Sequence, residues 1–269
     1  MCNICTFLQE WEVHYDSESY PPHFYRYFLD RIERSQIPEE IFDYLLAMLR
    51  WKIKYVREAS AEKYDIEIDN VYYSWSKEKI DFERHRNNTL FLKKCLQFKN
   101  GLLPDHYFFS YLTNGNKIFS SPLKLPVFLI HVLRPNEYPI IDQHVWRAMK
   151  KLTQKPIEPY KEPSSWEEYK KYTAFYEKLM KSIRGPDHAK LSRDAVDRAL
   201  WAFGKSLKTG EKCMFTQKTS NYGSLFTVPI YYEDEDLPDE HEKTDMLSSG
   251  YEDILHDDDE PDYDSDSDR

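Results

Sequence analysis

The stretch IFSSPLKLPVFLIHVLRPNEYPIIDQHVWRAMKKL, residues 118–152, decides how this chain is read. Within it, Leu125 to Leu133 is apolar all round. Its β-branched content leaves a strand open, but Pro126 suits the first turn of a helix and is poor in a central strand. The stretch therefore predicts a buried helix, stopped by Arg134-Pro135. A link, NEYPII, then leads to Asp142, and a second helix is expected from Gln143 to about Lys151. Asp142 stands at its cap position, where a carboxylate accepts from free backbone N–H groups.

Outward from this pair the same helical period recurs. Ile41, Tyr44, Leu45, Met48, Leu49, Lys52 and Val56 share one face, with a start signal at Ser35 and Pro38. Trp166, Tyr169, Thr173, Tyr176, Leu179 and Ile183 repeat it, with Gly185-Pro186 as a stop. Val196, Leu200, Phe203 and Leu207 form another stripe behind Ser192, a suitable cap. Residues 76–99 read as one or two helices ended by Asn100-Gly101, and Tyr107 to Leu112 as a short one. No series of alternating strands stands out. The expected fold class is all-α, a compact multi-helix domain over residues 1–208.

Charge divides the chain differently. From Tyr231 to Arg269 there are 18 acidic residues and two basic ones, so of the total of −10 the tail carries −16 and the first 230 residues carry +6. Such a tail buries too little apolar surface to offset chain entropy. Residues 229–269 are thus expected to be a disordered acidic tail, and 209–228 a linker or short extended arm. A basic body with an acidic tail prompts a nucleic-acid partner.

Composition excludes other classes. Only seven glycines argue against glycine-rich phosphate loops and tight-turned barrels. No apolar run approaches the roughly 20 residues that span a bilayer, so no membrane partner is expected. The start, MCNICTFLQEWEVHYD, lacks a basic segment before an apolar core, so a cytoplasmic protein without a secretory signal is expected. Cys2 and Cys5 have no second pair at metal spacing, so no metal site is implied. The oligomeric state stays open.

The 118–152 segment resembles the helix-hairpin-helix (HhH-GPD) DNA glycosylases. In that superfamily a hairpin leads into a buried helix, a short link and a catalytic aspartate, with a catalytic lysine, where there is one, some eighteen positions earlier. Here Lys124 precedes Asp142 by 18. The chain also resembles a scattered group of bacterial proteins of unassigned role with a YPI-x-DQHV-x-RA pattern, an earlier Trp-Lys and a later D-x-ALW-x-FGK. The counterparts are YPIIDQHVWRA, Trp51-Lys52, and Asp197 to Lys205. The resemblance implies cleavage of the N-glycosidic bond of a damaged or modified base in DNA, with or without strand cleavage. It implies Asp142 and Lys124 as catalytic groups, and Tyr138, His144 and Arg147 as substrate or DNA contacts. The hairpin glycines of the superfamily have no counterpart in SSPLKLPVF, and its four-cysteine cluster motif is absent, so no cofactor is implied.

The same residues admit plainer readings. Asp142 can simply cap its helix. Lys124 can be a solvated side chain. Arg147 and His144 can pin their helix to its neighbours. His131 reads as a satisfied core histidine, and Trp51, Trp146, Trp166 and Trp201 as helix-contact aromatics. The alternative function is therefore a catalytically inactive nucleic-acid-binding or protein-interaction module on the same helical fold.

Overall fold

The structure is a computed structural model, and it describes residues 3–53, 56–76, 80–115, 118–119, 123–155, 163–183 and 191–209. The chain divides into two units, Met1–Thr227 and Val228–Arg269, and all the described residues belong to the first. The expected arm and acidic tail, and the Gly185-Pro186 stop, lie outside the described residues.

The described residues are mostly helical: α1 (Asn3–Glu12), α2 (Pro22–Arg34), α3 (Pro38–Lys52), α4 (Thr89–Lys99), α5 (Asp105–Ser110), α6 (Lys124–Leu133), α7 (Gln143–Leu152), α8 (Trp166–Ile183) and α9 (Arg193–Thr209). Their ends follow local chemistry. Asn88 caps α4 by accepting from the Phe91 N–H at 3.0 Å, and Ser192 caps α9 by accepting from the Ala195 N–H at 3.1 Å. After α4, Gly101 takes a φ of +72°. That lets the Leu102 and Gly101 N–H groups close back on the Gln97 and Phe98 carbonyls at 2.8 and 3.0 Å.

The all-α expectation needs one correction. Residues 56–75 form a small antiparallel sheet of β1 (Val56–Glu58), β2 (Ile66–Ile68) and β3 (Val71–Trp75), in the order β1-β3-β2. α3 ends at Lys52, and Val56 opens a strand instead of continuing the helical stripe. The β2–β3 turn is Asp69-Asn70, with φ of +48° and +66°, and Ile68 pairs with Val71. Two left-handed residues in a two-residue loop match the twist of a hairpin. Strands of three and five residues offer too few alternations to stand out in the sequence, but the Asp-Asn pair was a usable signal.

The body has two halves. One is an apolar core between α2, α3, α4 and α6, where Phe82 stacks on Phe42 and Phe119 with centroids at 4.9 and 5.6 Å. α6 is its centre: every residue from Pro126 to Leu133 is buried. In the other half, α9 packs against both α7 and α1. Phe203 of α9 meets Phe7 and Trp11 of α1 at 5.0 and 5.1 Å. The site lies where the two halves meet. Among the described residues, no helix is long and apolar enough to cross a membrane.

Candidate functional site

Asp142 caps α7. Its Oδ1 accepts from the backbone N–H groups of His144 (2.8 Å) and Val145 (3.2 Å). Its Oδ2 faces Lys52 Nζ, at the end of α3, at 3.4 Å. Both side chains are nearly buried, at 7% and 8% exposed. The Lys52 ammonium also lies over the Phe128 ring of α6, 5.5 Å from its centroid. Burial pushes the Asp142 carboxyl up, but Lys52, His144 and the two backbone N–H groups outweigh it and hold the carboxyl below the usual range. His144 is itself pushed down to about 4, first by burial, so at neutral pH the opposing charge is that of Lys52.

Above this ion pair is a cavity of about 40 Å³. Its walls are aromatic: Tyr15 and Tyr20 from the loop after α1, Tyr25 of α2, Trp51 of α3 and Trp201 of α9. Tyr20 bridges the two tryptophans, with centroids 5.5 Å from Trp51 and 5.6 Å from Trp201. Burial, aided by Asp142 and Asp16, pushes the Tyr20 hydroxyl up to about 12, so it stays a neutral donor. A volume of this size holds about one water molecule.

Asp197 of α9 lines the same cavity. One of its oxygens, Oδ1, is buried with no hydrogen-bond partner among the described residues. Burial first, and then Asp194, pushes its carboxyl well above the usual range. The cavity thus holds two carboxyls pushed in opposite directions, Asp142 toward the ionised form and Asp197 toward the protonated one. Nearby, Asp194 is paired with Arg198, which also reaches Glu12 of α1.

A buried relay fixes the polarity of the opposite wall. His131 Nδ1 lies 2.5 Å from the Tyr138 carbonyl, and its Nε2 contacts the Tyr25 hydroxyl. A carbonyl only accepts, so Nδ1 carries the proton. Burial pushes His131 down to about 4, so the ring is neutral and Nε2 is an acceptor. Tyr25 therefore donates to His131 and offers the cavity only lone pairs.

Arg147, 1% exposed, locks α7 to α9. Its Nε donates to the Gly204 carbonyl at 3.0 Å, and its terminal nitrogens meet Gln143 Oε1 at 3.3 Å and His144 Nδ1 at 2.7 Å. His144 packs on Trp201 with centroids 4.9 Å apart. A Cβ on Gly204 would lie 1.8 Å from the His144 carbonyl oxygen, so glycine is what allows the two helices to approach.

Of the residues singled out in the sequence, Asp142 lines the cavity and His144 supports it through Trp201. Arg147 sits in the helix seam beneath. Lys124, at the start of α6, lines a separate recess with Asp142 and Gln143. Tyr138 packs on Phe98 at 5.8 Å and serves the relay through its backbone carbonyl. Lys52, Asp197, Tyr20 and Tyr25 were not singled out. Lys52 and Asp197 stood inside the quoted Trp-Lys and D-x-ALW strings, which was the available signal.

Among the described residues, no group of three or more histidine, cysteine, aspartate or glutamate side chains is placed to hold a metal ion. Comparison of the chain with protein-family models, curated proteins and solved structures gives no match.

Proposed function

We propose that this chain is a DNA-glycosylase-like protein that receives a damaged or modified base in the aromatic cavity and breaks its N-glycosidic bond beside Asp142. One observation carries the reading. The three segments on which the sequence resemblance rests, Trp51-Lys52, Asp142 and Asp197 to Trp201, converge on one cavity that joins an ionised carboxylate to aromatic walls.

Glycosidic cleavage passes through a sugar cation, and a fixed carboxylate lowers its energy. Asp142 is suited to that role because α7 and Lys52 hold it ionised and in place. Aromatic rings can stack a base that has left its duplex. For strand cleavage, Lys52 and Lys124 both border Asp142 and are the two candidate amines.

A second reading has its own support. The Asp142 oxygens already take two N–H groups and an ammonium, as a purely structural cap would. On that reading the chain is a catalytically inactive nucleic-acid-binding or protein-interaction module.

The deciding experiment incubates the full chain with duplex oligonucleotides carrying a panel of damaged bases, then reveals abasic sites with heat and alkali. Base release that falls at least about 100-fold in Asp142→Asn supports the glycosylase reading. Borohydride trapping beside Lys52→Ala and Lys124→Ala identifies any Schiff-base lysine. Retained DNA affinity with no base release on any substrate moves the conclusion to the inactive module.

A further inference from the structure

Resting on the glycosylase reading, we infer that Asp197 is the general acid that protonates the departing base while Asp142 acts as the carboxylate. Nothing in the sequence resemblance singles out Asp197 for this work. The geometry does so in three ways.

First, the two carboxyls line one cavity from different elements, Asp142 from the cap of α7 and Asp197 from the second turn of α9. Second, their surroundings differ in kind. Asp142 is held by two N–H groups and a lysine. Asp197 has a buried oxygen without a partner, close to hydroxyls that carry no charge. Tyr25 faces it from α2, Tyr172 and Tyr176 from α8, and Lys52 from α3; Arg193 and Asp194 flank it on its own helix. Tyr25 donates to His131, and the Tyr176 hydroxyl, which donates to the Arg193 carbonyl at 3.0 Å, also interacts with the Asp197 carboxyl and lowers it, as Arg193 and Lys52 do, but burial and Asp194 outweigh them. Third, the Tyr172 hydroxyl is also buried without a partner among the described residues. Asp197 on the cavity wall and the Tyr172 hydroxyl, which interacts with it electrostatically, thus each have a polar atom without a partner among the described residues, and a protonated carboxyl suits that setting better than an anion.

Two carboxyls whose environments push their proton affinities apart divide acid and base work. The proton balance closes. The bond from C1′ to the base nitrogen breaks, and its electron pair goes to the base. Asp197 gives its proton to the base, which leaves neutral. Water adds to C1′ and loses a proton to Asp142. Asp142 then returns that proton to solvent, and Asp197 takes one up.

The test uses two leaving groups that differ in their need for a proton. Hypoxanthine leaves poorly as an anion, whereas 7-methylguanine, already cationic in DNA, leaves as a neutral base unaided. Single-turnover base release is followed for the full chain, Asp197→Asn and Asp142→Asn, with thermal melting as a check on folding. Asp197→Asn is expected to slow hypoxanthine release about 100-fold or more, to leave 7-methylguanine release within a few-fold, and to abolish the fall in rate at alkaline pH. Equal loss on both substrates, or no loss, overturns the assignment while leaving the glycosylase reading intact. No release of either base by the unmodified chain overturns the assignment for these bases, while the glycosylase reading is decided by the wider panel. A carbon-13 carboxyl titration of the unmodified chain gives an answer that does not depend on activity. Asp197 is expected to be protonated at pH 7 and Asp142 ionised, and an ionised Asp197 at that pH overturns the assignment.

Discussion

The two halves of the body are built on opposite rules. Between α2, α3, α4 and α6, rings pack on rings, and Phe82 alone meets Phe42, Phe91 and Phe119. Along α7 and α9 the buried groups include Arg147 and Asp142, with His144 packed against them. Burying charge stabilises less than burying a ring of similar size, and it fails sharply when one partner is removed. The contrast teaches a division of labour. The aromatic half supplies stability, and the polar seam gives stability up in order to fix the orientation of α7, and with it the Asp142 carboxylate.

Several substitutions test that division. The largest effect is expected at the seam itself. Gly204→Ala places a methyl against the His144 carbonyl, and the helices must part, at a cost of about 4 kcal/mol or more in urea unfolding. A loss below about 1 kcal/mol would mean that the seam is looser than its close contact indicates.

Phe82→Ala removes a ring that is 1% exposed and is expected to cost about 3–4 kcal/mol. Whatever function Asp142 has should survive it in the molecules that remain folded. Equal loss of stability and function per folded molecule would erase the distinction between the halves.

Lys52→Met leaves Asp142 without its counter-charge across the boundary between the halves. It is expected to cost about 2–3 kcal/mol. In the variant, the Asp142 carboxyl should titrate at higher pH, as read by carbon-13 shifts.

Acid tests the buried relay inside the aromatic half. His131 is 2% exposed and pushed down to about 4. Between its unfolded value near 6.5 and its folded value, the unfolded chain binds the extra proton. Stability present above about pH 6.5 is therefore lost as the pH falls toward 4, by about 2–3 kcal/mol. His131→Gln should flatten that part of the curve.

The smallest effect has the opposite sign. The carboxyl of Asp197 is raised, so its folded form keeps a proton that the unfolded chain releases as the pH rises above about 4. Stability falls over that interval, up to the folded pKa. Asp197→Asn is expected to stabilise the protein at pH 7, seen as a higher melting temperature. A lower melting temperature would mean that Asp197 is an ionised partner in a bridge.

Much of this was legible in the chain. The apolar run at Leu125–Leu133 predicted α6, because a residue buried on all sides needs no periodicity to announce it. Asp142 and Ser192 were legible as caps because capping is a local hydrogen bond. The sheet at 56–75 was not, since its strands are held by cross-strand pairs and carry little signal of their own. The site was half legible. Asp142 was marked by its motif, but an 18-residue spacing drew attention to Lys124, while Lys52, 90 residues away, supplies the ammonium.

By itself, the sequence determined a mostly helical body, the positions of most of its helices, and an acidic end carrying a net charge set apart from the rest. These follow from periodicity, caps and composition, which act over a few residues. Only the tertiary structure decided which lysine meets Asp142, that Arg147 clamps Gly204, and that Asp142 and Asp197 share a cavity with proton affinities pushed in opposite directions. Those outcomes depend on burial and on distances between groups far apart in the chain, and a proton affinity is set by what surrounds a carboxyl in space.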